Sequence, residues 1–157
     1  MDVDLRNCAN DSGAYGLVVF NKLDNKAIKI FRKNHTREQA ENVFNSECRA
    51  YEKAKNNLDV QKLVPKFYGT LSISKIIDRS GKDITQDYFT DLAYEMSFES
   101  GNFHKLNTIS RSEISRITTL FNIAGISYVE DASVTLDGNS NVVKVIDFAE
   151  QEFEFWG

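Results

Sequence analysis

Cysteine and proline are scarce in this sequence. The two cysteines, Cys8 and Cys48, are too few for a disulfide framework or a set of metal ligands. The single proline, Pro65, leaves hydrophobic periodicity and helix caps as the main guides to secondary structure. Nothing near the N-terminus resembles a secretory signal or a membrane-spanning helix. We therefore expect a cytoplasmic protein with no membrane partner.

The composition is that of an ordinary globular chain, but the charge is unevenly distributed. With 41% apolar and 27% charged residues, the 157 residues suffice for one core, and we expect a single domain over residues 1–157. Residues 1–69 carry 12 Lys and Arg against 9 Asp and Glu, whereas residues 70–157 carry 7 against 14. The net charges are +3 and −7, so we expect no nucleic-acid partner.

The periodicity of apolar residues predicts an α+β fold. A helix that opens on the capping box of Thr36 and Gln39 is expected to end near Asn56. The other predicted elements are a strand pair in 15–31 around the turn Asp24-Asn25, strands in 65–77 and 88–96, a helix in 110–125 that ends at Gly125, and a hairpin that turns at Asp137-Gly138.

Two charged residues interrupt the apolar patterns of the first strand pair and the first helix. Glu47 stands on the apolar stripe of the helix, between Phe44 and Ala50. Burial of an unpaired carboxylate is costly, so we expect Glu47 to meet a cation or to border a wet cleft. Lys29 interrupts "AIKIF" in the preceding strand and would supply that cation. The alternative is that Lys29 lies on a solvated face and that Glu47 lies at the edge of its stripe.

Further motifs occur in a familiar order: "SGAYGLVV", "AIKIF", a helical Glu47, "LVPKFYG", "LAYEMSFESG" and "VIDF". In order and rough spacing the chain resembles a eukaryotic-like protein kinase domain over nearly its whole length. The resemblance implies a kinase-like small lobe in residues 1–96, an antiparallel sheet with one long helix, and a reduced large lobe in 97–157.

The resemblance also implies a set of nucleotide-binding residues, with ATP and Mg²⁺ as cofactors. The strand lysine that contacts the α- and β-phosphates corresponds to Lys29, its helical partner to Glu47, and the metal-binding aspartate to Asp147. The remaining correspondences are the glycine-rich loop at Gly13, Gly16 and Val18, the aromatic tip of that loop at Tyr15, and the adenine-binding hinge at Glu95 and Met96.

The catalytic segment departs from the family pattern. An active kinase carries His-Arg-Asp followed by an asparagine, whereas this chain has "GISYVEDASVTL". The family spacing puts the catalytic aspartate near Val129 or Glu130 and the asparagine near Ser133. Glu130 as a substitute base and Asp131 as a metal ligand would make a minimal ATP-dependent protein kinase. The alternative is that Glu130 and Asp131 form a solvated turn.

The chain ends soon after Asp147, with Ala149 in place of the family's glycine and no activation segment or peptide-binding subdomain. We therefore expect a regulatory protein on a degenerate kinase fold, resembling a pseudokinase, an antitoxin or an immunity protein. Its acidic second half and the aromatic residues Phe153, Phe155 and Trp156 would bind a basic protein partner. Alternatively, these aromatic residues close the second lobe.

A third hypothesis has no kinase relation. The chain would then be a small α+β interaction domain in which Lys29 and Glu47 are only a structural pair.

Overall fold

The computed structural model describes residues 1–12, 16–21 and 24–153 and confirms the mixed α+β fold with antiparallel sheets. Three α-helices occur in the described residues: α1 (Arg37–Lys55), α2 (Leu58–Gln61) and α3 (Arg111–Ile123). The strands are β1 (Asp2–Asp4), β2 (Ala9–Ser12), β3 (Gly16–Asn21), β4 (Lys26–Arg32), β5 (Phe67–Leu71), β6 (Lys75–Ile77), β7 (Tyr88–Ser97), β8 (His104–Lys105), β9 (Ser133–Leu136) and β10 (Val142–Ile146). None of these helices has the length and apolar character needed to cross a bilayer.

The chain divides into two units. The first comprises residues 1–44 and 66–98, and the second comprises residues 45–65 and 99–157. Helix α1 therefore contributes its first eight residues to one unit and the rest to the other. The lobe boundaries expected from the sequence, 1–96 and 97–157, stay a prediction.

A five-stranded sheet with the order β2-β3-β4-β7-β5 forms the first unit, and every neighbouring pair is antiparallel. The predicted strand pair is confirmed as β3 and β4, which flank the turn at Asp24 and Asn25. One sheet face packs on the parallel pair β1–β6. The buried residues of this core are Val3, Leu5, Leu17, Val19, Ile28, Ile30, Ile73, Ile76, Tyr88 and Ala93.

The other face of the five-stranded sheet receives the start of helix α1. Phe44 lies with its ring 5.7 Å from Phe31 and 6.2 Å from Tyr94. The helix begins as predicted, because the Gln39 amide N–H donates to Thr36 Oγ1 and the Thr36 N–H donates to Gln39 Oε1. This reciprocal pair satisfies two backbone donors and fixes the start of the helix on the sheet.

In the second unit, β9 and β10 form an antiparallel hairpin, and β8 adds to β9. Helix α3 contacts this hairpin through Glu113, whose carboxylate accepts the Val142 N–H. The core includes the ring contacts of Phe148 with Tyr51 at 4.8 Å and with Phe121 at 5.4 Å. Helix α3 begins at Ser110, whose hydroxyl accepts the Glu113 N–H, and Gly125 follows its C-cap with φ of 87°. The predicted limits of this helix are thereby confirmed.

Candidate functional site

Strands β3, β4 and β7 bring several of the predicted nucleotide-binding residues onto one sheet face. Val18 pairs with Lys29, and Lys29 pairs with Tyr94, so these three side chains form one row across the sheet. Two positions from Lys29 along β4, and on the same face, Ala27 pairs with Met96. Ala27 is 3% exposed, whereas Val18, Lys29 and Met96 are half-buried. This sheet face is therefore largely apolar and partly accessible. Lys29 adds a positive charge in the row that it shares with Val18 and Tyr94.

An aromatic stack continues this face. Phe20 pairs with Ala27, and its ring lies parallel to that of Phe98 at 4.7 Å between centroids. Both rings are half-buried. The buried Ala27 and the half-buried residues Val18, Phe20, Met96 and Phe98 thus form one strip, which we call the apolar strip. The sequence interpretation missed the two phenylalanines, although Phe20 follows Val18 with the two-residue period of a strand.

Lys29 lies at the border of the apolar strip. Its ammonium is 5.1 Å from the centre of the Phe31 ring, a distance at which a cation is attracted to an aromatic face. Lys29 and Ala27 are two positions apart along β4, which corresponds to about 7 Å of an extended strand. This distance suits a small molecule that places a flat apolar group beside Ala27 and an anionic group near Lys29.

Gly16 has a local reason to be glycine. A Cβ atom at this position would lie 2.6 Å from the carbonyl oxygen of Ile30 on the paired strand. This close backbone approach requires glycine whether or not a phosphate binds nearby. The neighbouring loop residues of the motif, Gly13 and Tyr15, lie outside the described residues.

Glu95 and Met96 lie in the middle of β7, and their side chains point to opposite faces of the sheet. The Glu95 carboxylate lies 3.8 Å from Lys26 Nζ, an ion pair at a half-exposed site. The predicted role of this segment depends on its backbone groups, and that role stays a prediction.

Glu47 faces inward as predicted, because it is 4% exposed although it carries a carboxylate. It belongs to the second unit, whereas Lys29 belongs to the first. The charge pair of Lys29 with Glu47 therefore stays a prediction. Within the second unit, desolvation raises the pKa of the buried Tyr51 hydroxyl, and the negative charges of Asp147 and Glu47 add to this shift.

Asp147 follows the last residue of β10 and is exposed, so the strand does not end with this carboxylate in the core. Its φ is 63°, in the left-handed region that non-glycine residues seldom occupy. Such backbone strain costs about 1–3 kcal/mol and concentrates at functional sites. Phe148 and Ala149, both buried, anchor the turn immediately after it. The described residues contain no group of three or more His, Cys, Asp or Glu that would hold a metal ion by itself.

The predicted catalytic pair, Glu130 and Asp131, lies in an exposed turn before β9. The Asp131 carboxylate accepts a hydrogen bond of 2.7 Å from the Tyr128 hydroxyl, and the Asp131 carbonyl accepts one of 3.0 Å from Lys105 Nζ. These contacts hold Asp131 as part of the turn. The catalytic and metal-binding roles of Glu130 and Asp131 stay predictions.

Gln151 and the two residues before it are fixed by backbone hydrogen bonds. Tyr128 and Ala149 exchange two bonds of 3.1 and 2.9 Å, and Glu150 donates to the Ser46 carbonyl at 3.0 Å. The Gln151 N–H donates to Ser46 Oγ at 3.0 Å. The chain is therefore built into the second unit as far as Gln151. Phe153 is half-buried, and Phe155 and Trp156 lie outside the described residues.

The sequence matches no protein-family model and no curated protein. The interpretation of the site consequently rests on the geometry described above. Its most informative parts are the apolar strip with Lys29 in the first unit and the strained Asp147 turn in the second.

Proposed function

We propose that the first unit binds an adenine nucleotide on the apolar strip and that the chain acts as a non-catalytic regulatory protein. The observation that carries this proposal is the placement of the apolar strip beside Lys29 on one sheet face. Aromatic and apolar side chains suit the flat adenine ring, and a lysine ammonium suits phosphate oxygens as a point charge.

A kinase-like fold is part of the proposal. Lys29 lies on β4, the third strand from the β2 edge of the five-stranded sheet, and the long helix α1 follows that strand. A protein kinase likewise places its phosphate-contacting lysine on the third strand and the partner glutamate on the helix that follows. In this comparison the partner glutamate corresponds to Glu47, which is buried on α1.

The implied cofactors are ATP and Mg²⁺, and the residues present suit them in part. Lys29 of the first unit suits phosphate oxygens as a point charge. Asp147 of the second unit carries hard carboxylate oxygens of the kind that Mg²⁺ prefers. When bound, Mg²⁺ neutralises phosphate charge. The one described glycine of the loop motif, Gly16, is explained by strand packing and adds no support for a phosphate cradle.

Phosphotransfer is not part of the proposal. A general base must lie within hydrogen-bond reach of the proton that it removes, and its contribution is about 10²–10⁴-fold. Asp131 is engaged with Tyr128, and Glu130 lies exposed in a turn. We infer that the chain binds nucleotide without turnover, in the manner of a pseudokinase.

The regulatory role would consist of binding another protein, as an antitoxin or immunity-like protein does. Residues 70–157 carry the charge excess of −7, which suits a basic partner. In the second unit, Leu58 and Ile123 are the most exposed large apolar side chains, at 80% and 74%. Exposed apolar side chains are suitable anchors for a protein partner.

Thermal unfolding with Mg·ATP tests the nucleotide proposal. A ligand at about 100 times its Kd adds about 2.7 kcal/mol to the free energy of unfolding, so the melting temperature of the wild-type protein rises by several degrees. Lys29→Met removes most of this shift. The matched variant Lys75→Met, at an exposed lysine on β6, retains it. A shift of equal size in both variants would refute the assignment of the strip.

Truncation tests the partner proposal. A chain that ends at Glu152 retains the backbone contacts of residues 149–151 and is expected to keep its melting temperature. We expect it to lose a basic protein that the full chain captures from native cells, and we expect capture by the full chain to weaken as salt rises. If the shortened chain keeps every partner, the aromatic residues after Glu152 are not the binding element.

A further inference from the structure

Tyr68 is an exposed aromatic residue on β5, and two lysines lie beside its ring. The residue is 43% exposed. Lys26 Nζ lies 4.9 Å from the ring centre and Lys66 Nζ lies 5.4 Å from it, distances at which a cation is attracted to an aromatic face. We call Tyr68, Lys26 and Lys66 the tyrosine cluster. It is a small aromatic surface flanked by positive charge.

The charges of the two lysines are compensated to different extents. Lys26 Nζ lies 3.8 Å from the Glu95 carboxylate. Lys66 is exposed and forms no ion pair with the described residues. The two ammonium groups and the one carboxylate leave a net charge of +1. A segment that binds here is therefore expected to be acidic and to carry an aromatic group.

The tyrosine cluster lies at an edge of the five-stranded sheet. Strand β5 is the last in the order β2-β3-β4-β7-β5 and pairs with β7. Apart from that ladder, the backbone of residues 68–71 forms no hydrogen bond with the described part of the chain. Tyr68 and Thr70 are exposed, so this edge is accessible. Unused N–H and C=O groups on an edge strand form a template for an added strand.

Two features of this edge restrict which strands can be added. The ladder shifts its register between Phe67 and Gly69, and Gly69 has a φ of 118°. Lys66 immediately precedes the strand. Bulges and lysines keep edge strands from pairing indiscriminately. The lysine charge repels basic segments and favours a segment with a carboxylate opposite it, so the edge is selective.

The tyrosine cluster and the apolar strip occupy opposite faces of the sheet. Lys26 and Ile28 share a face, because side chains two positions apart along a strand point to the same side. Ile28 belongs to the core on the side of β1 and β6. Binding at the tyrosine cluster is therefore independent of nucleotide binding on the apolar strip.

The end of this chain has the composition that the tyrosine cluster requires. Residues 150–157 read "EQEFEFWG", with acidic and aromatic residues in alternation. In an extended segment, Glu154 and Trp156 would point to one side, about 7 Å apart. Such a segment presents a carboxylate and an indole ring on one face.

We propose that β5 receives residues 152–157 of a second copy of this chain as an added strand. Glu154 of that segment would pair with Lys66, and Trp156 would pack on the Tyr68 ring. The segment spans about 20 Å when extended and the five residues of β5 span about 17 Å, so the lengths match. The inference rests on the proposed role of the aromatic residues as a protein-binding element. The contact is heterologous, because each copy offers one edge and one C-terminal segment.

Sedimentation of the full chain tests the second copy as the occupant. We expect the average mass to rise with concentration up to about 1 mM and to return to that of the monomer with an excess of a synthetic peptide of residues 150–157. A peptide of the same composition, in which the three glutamates precede all the aromatic residues, should not dissociate the assembly. A chain that stays monomeric throughout, or equal dissociation by both peptides, would overturn the proposal.

Backbone amide NMR locates the contact. Titration of the full chain with the peptide of residues 150–157 should shift the signals of Tyr68 and Thr70 with saturation. The signals of β2, at the opposite edge of the sheet, should change little. If the peptide shifts β2 alone, or shifts no signal at about 1 mM, the assignment to β5 is wrong.

Charge reversal tests the predicted pairing of Glu154 with Lys66. Lys66→Glu should weaken binding of the peptide about tenfold, and a peptide with Glu154→Lys should restore it. The matched control Lys82→Glu, at an exposed lysine between β6 and β7, should bind the unmodified peptide normally. If the reversed peptide binds Lys66→Glu no better than the unmodified one does, this pairing is refuted. Loss of a basic protein on truncation would still support the partner proposal, so the two proposals fail separately.

Discussion

Glu113 is a buried carboxylate that joins helix α3 to the hairpin carrying Asp147, and Glu113→Ala tests how strongly it does so. The residue is 9% exposed. Its carboxylate accepts hydrogen bonds from Arg116 Nε at 3.0 Å, from Arg116 Nη2 at 2.7 Å and from the Val142 N–H at 2.9 Å. Val142 is the first residue of β10. The substitution therefore removes a contact that positions the start of the strand whose end leads to Asp147.

The expected loss of stability in Glu113→Ala follows from the two partners, Val142 and Arg116, that lose their acceptor. The buried Val142 N–H loses its acceptor, at a cost of about 1–3 kcal/mol, and a hydrogen bond to a charged group contributes about 1.5–3 kcal/mol. The Arg116 side chain is 41% exposed and regains water, which limits its share. We expect Glu113→Ala to lower the free energy of unfolding by about 2–4 kcal/mol, measured from the urea midpoint.

The control is Glu130→Ala, at an exposed glutamate in the turn before β9. Surface substitutions of this kind change the free energy of unfolding by about 0.5 kcal/mol or less. If Glu113→Ala and Glu130→Ala lower the stability equally, the contact with Val142 does not hold the hairpin, and the reasoning from its geometry is wrong.

Three further predictions concern the pH dependence of stability, a glycine and the first helix. The hydrogen bonds from Arg116 and Val142 lower the pKa of Glu113 below its ordinary value of 4.5. The ionised carboxylate therefore stabilises the fold above pH 4.5, and this contribution is lost as the pH falls through the folded-state pKa. The difference in free energy of unfolding between the wild type and Glu113→Gln should shrink below pH 4.5. Gly16→Ala should destabilise by about 1–3 kcal/mol in urea, because its Cβ would meet a backbone oxygen at 2.6 Å, whereas Gly138→Ala, in open space, should be neutral. Glu47→Ala should lower Mg·ATP affinity in calorimetry more than Glu41→Ala, and equal affinities would contradict the role assigned to Glu47.

Local signals predicted the elements that depend on neighbouring residues. The capping box of Thr36 and Gln39 is visible in the sequence because its two partners are three residues apart, and the structure confirms both hydrogen bonds. The inward position of Glu47 was predicted for the same reason, since helical periodicity places it between Phe44 and Ala50.

Contacts between distant short segments were not predictable in this way. Strands β1 and β6 are three residues each, and their parallel pairing joins Val3 to Ile76 across more than seventy residues. A three-residue strand is too short for alternation to be recognised. The contact of Glu113 with Val142 spans 29 residues, and a glutamate in the first turn of a helix ordinarily suggests only a favourable helix dipole.

The predicted turn of the last hairpin was correct in place, but the sequence did not reveal the length of its loop. The turn was predicted at Asp137-Gly138, and the loop extends over residues 137–141. The Asp137 carboxylate accepts the N–H groups of Asn139 and Asn141 at 2.9 and 3.0 Å, and Ser140 adopts the positive φ of 62°. An aspartate that binds backbone groups further along the chain stabilises a longer loop, which the Asp-Gly dipeptide alone does not reveal.

Methyl NMR with Mg·ATP tests the central claim most directly, because the two faces of the five-stranded sheet carry distinct methyl groups. Val18, Ala27 and Met96 lie on the face of the apolar strip, whereas Val19 and Ile28 lie on the opposite, buried face. We predict saturable shifts of the first set, with the second set little changed, and smaller shifts in Lys29→Met. Shifts confined to Val19 and Ile28, or no shift at millimolar Mg·ATP, would contradict nucleotide binding on the apolar strip.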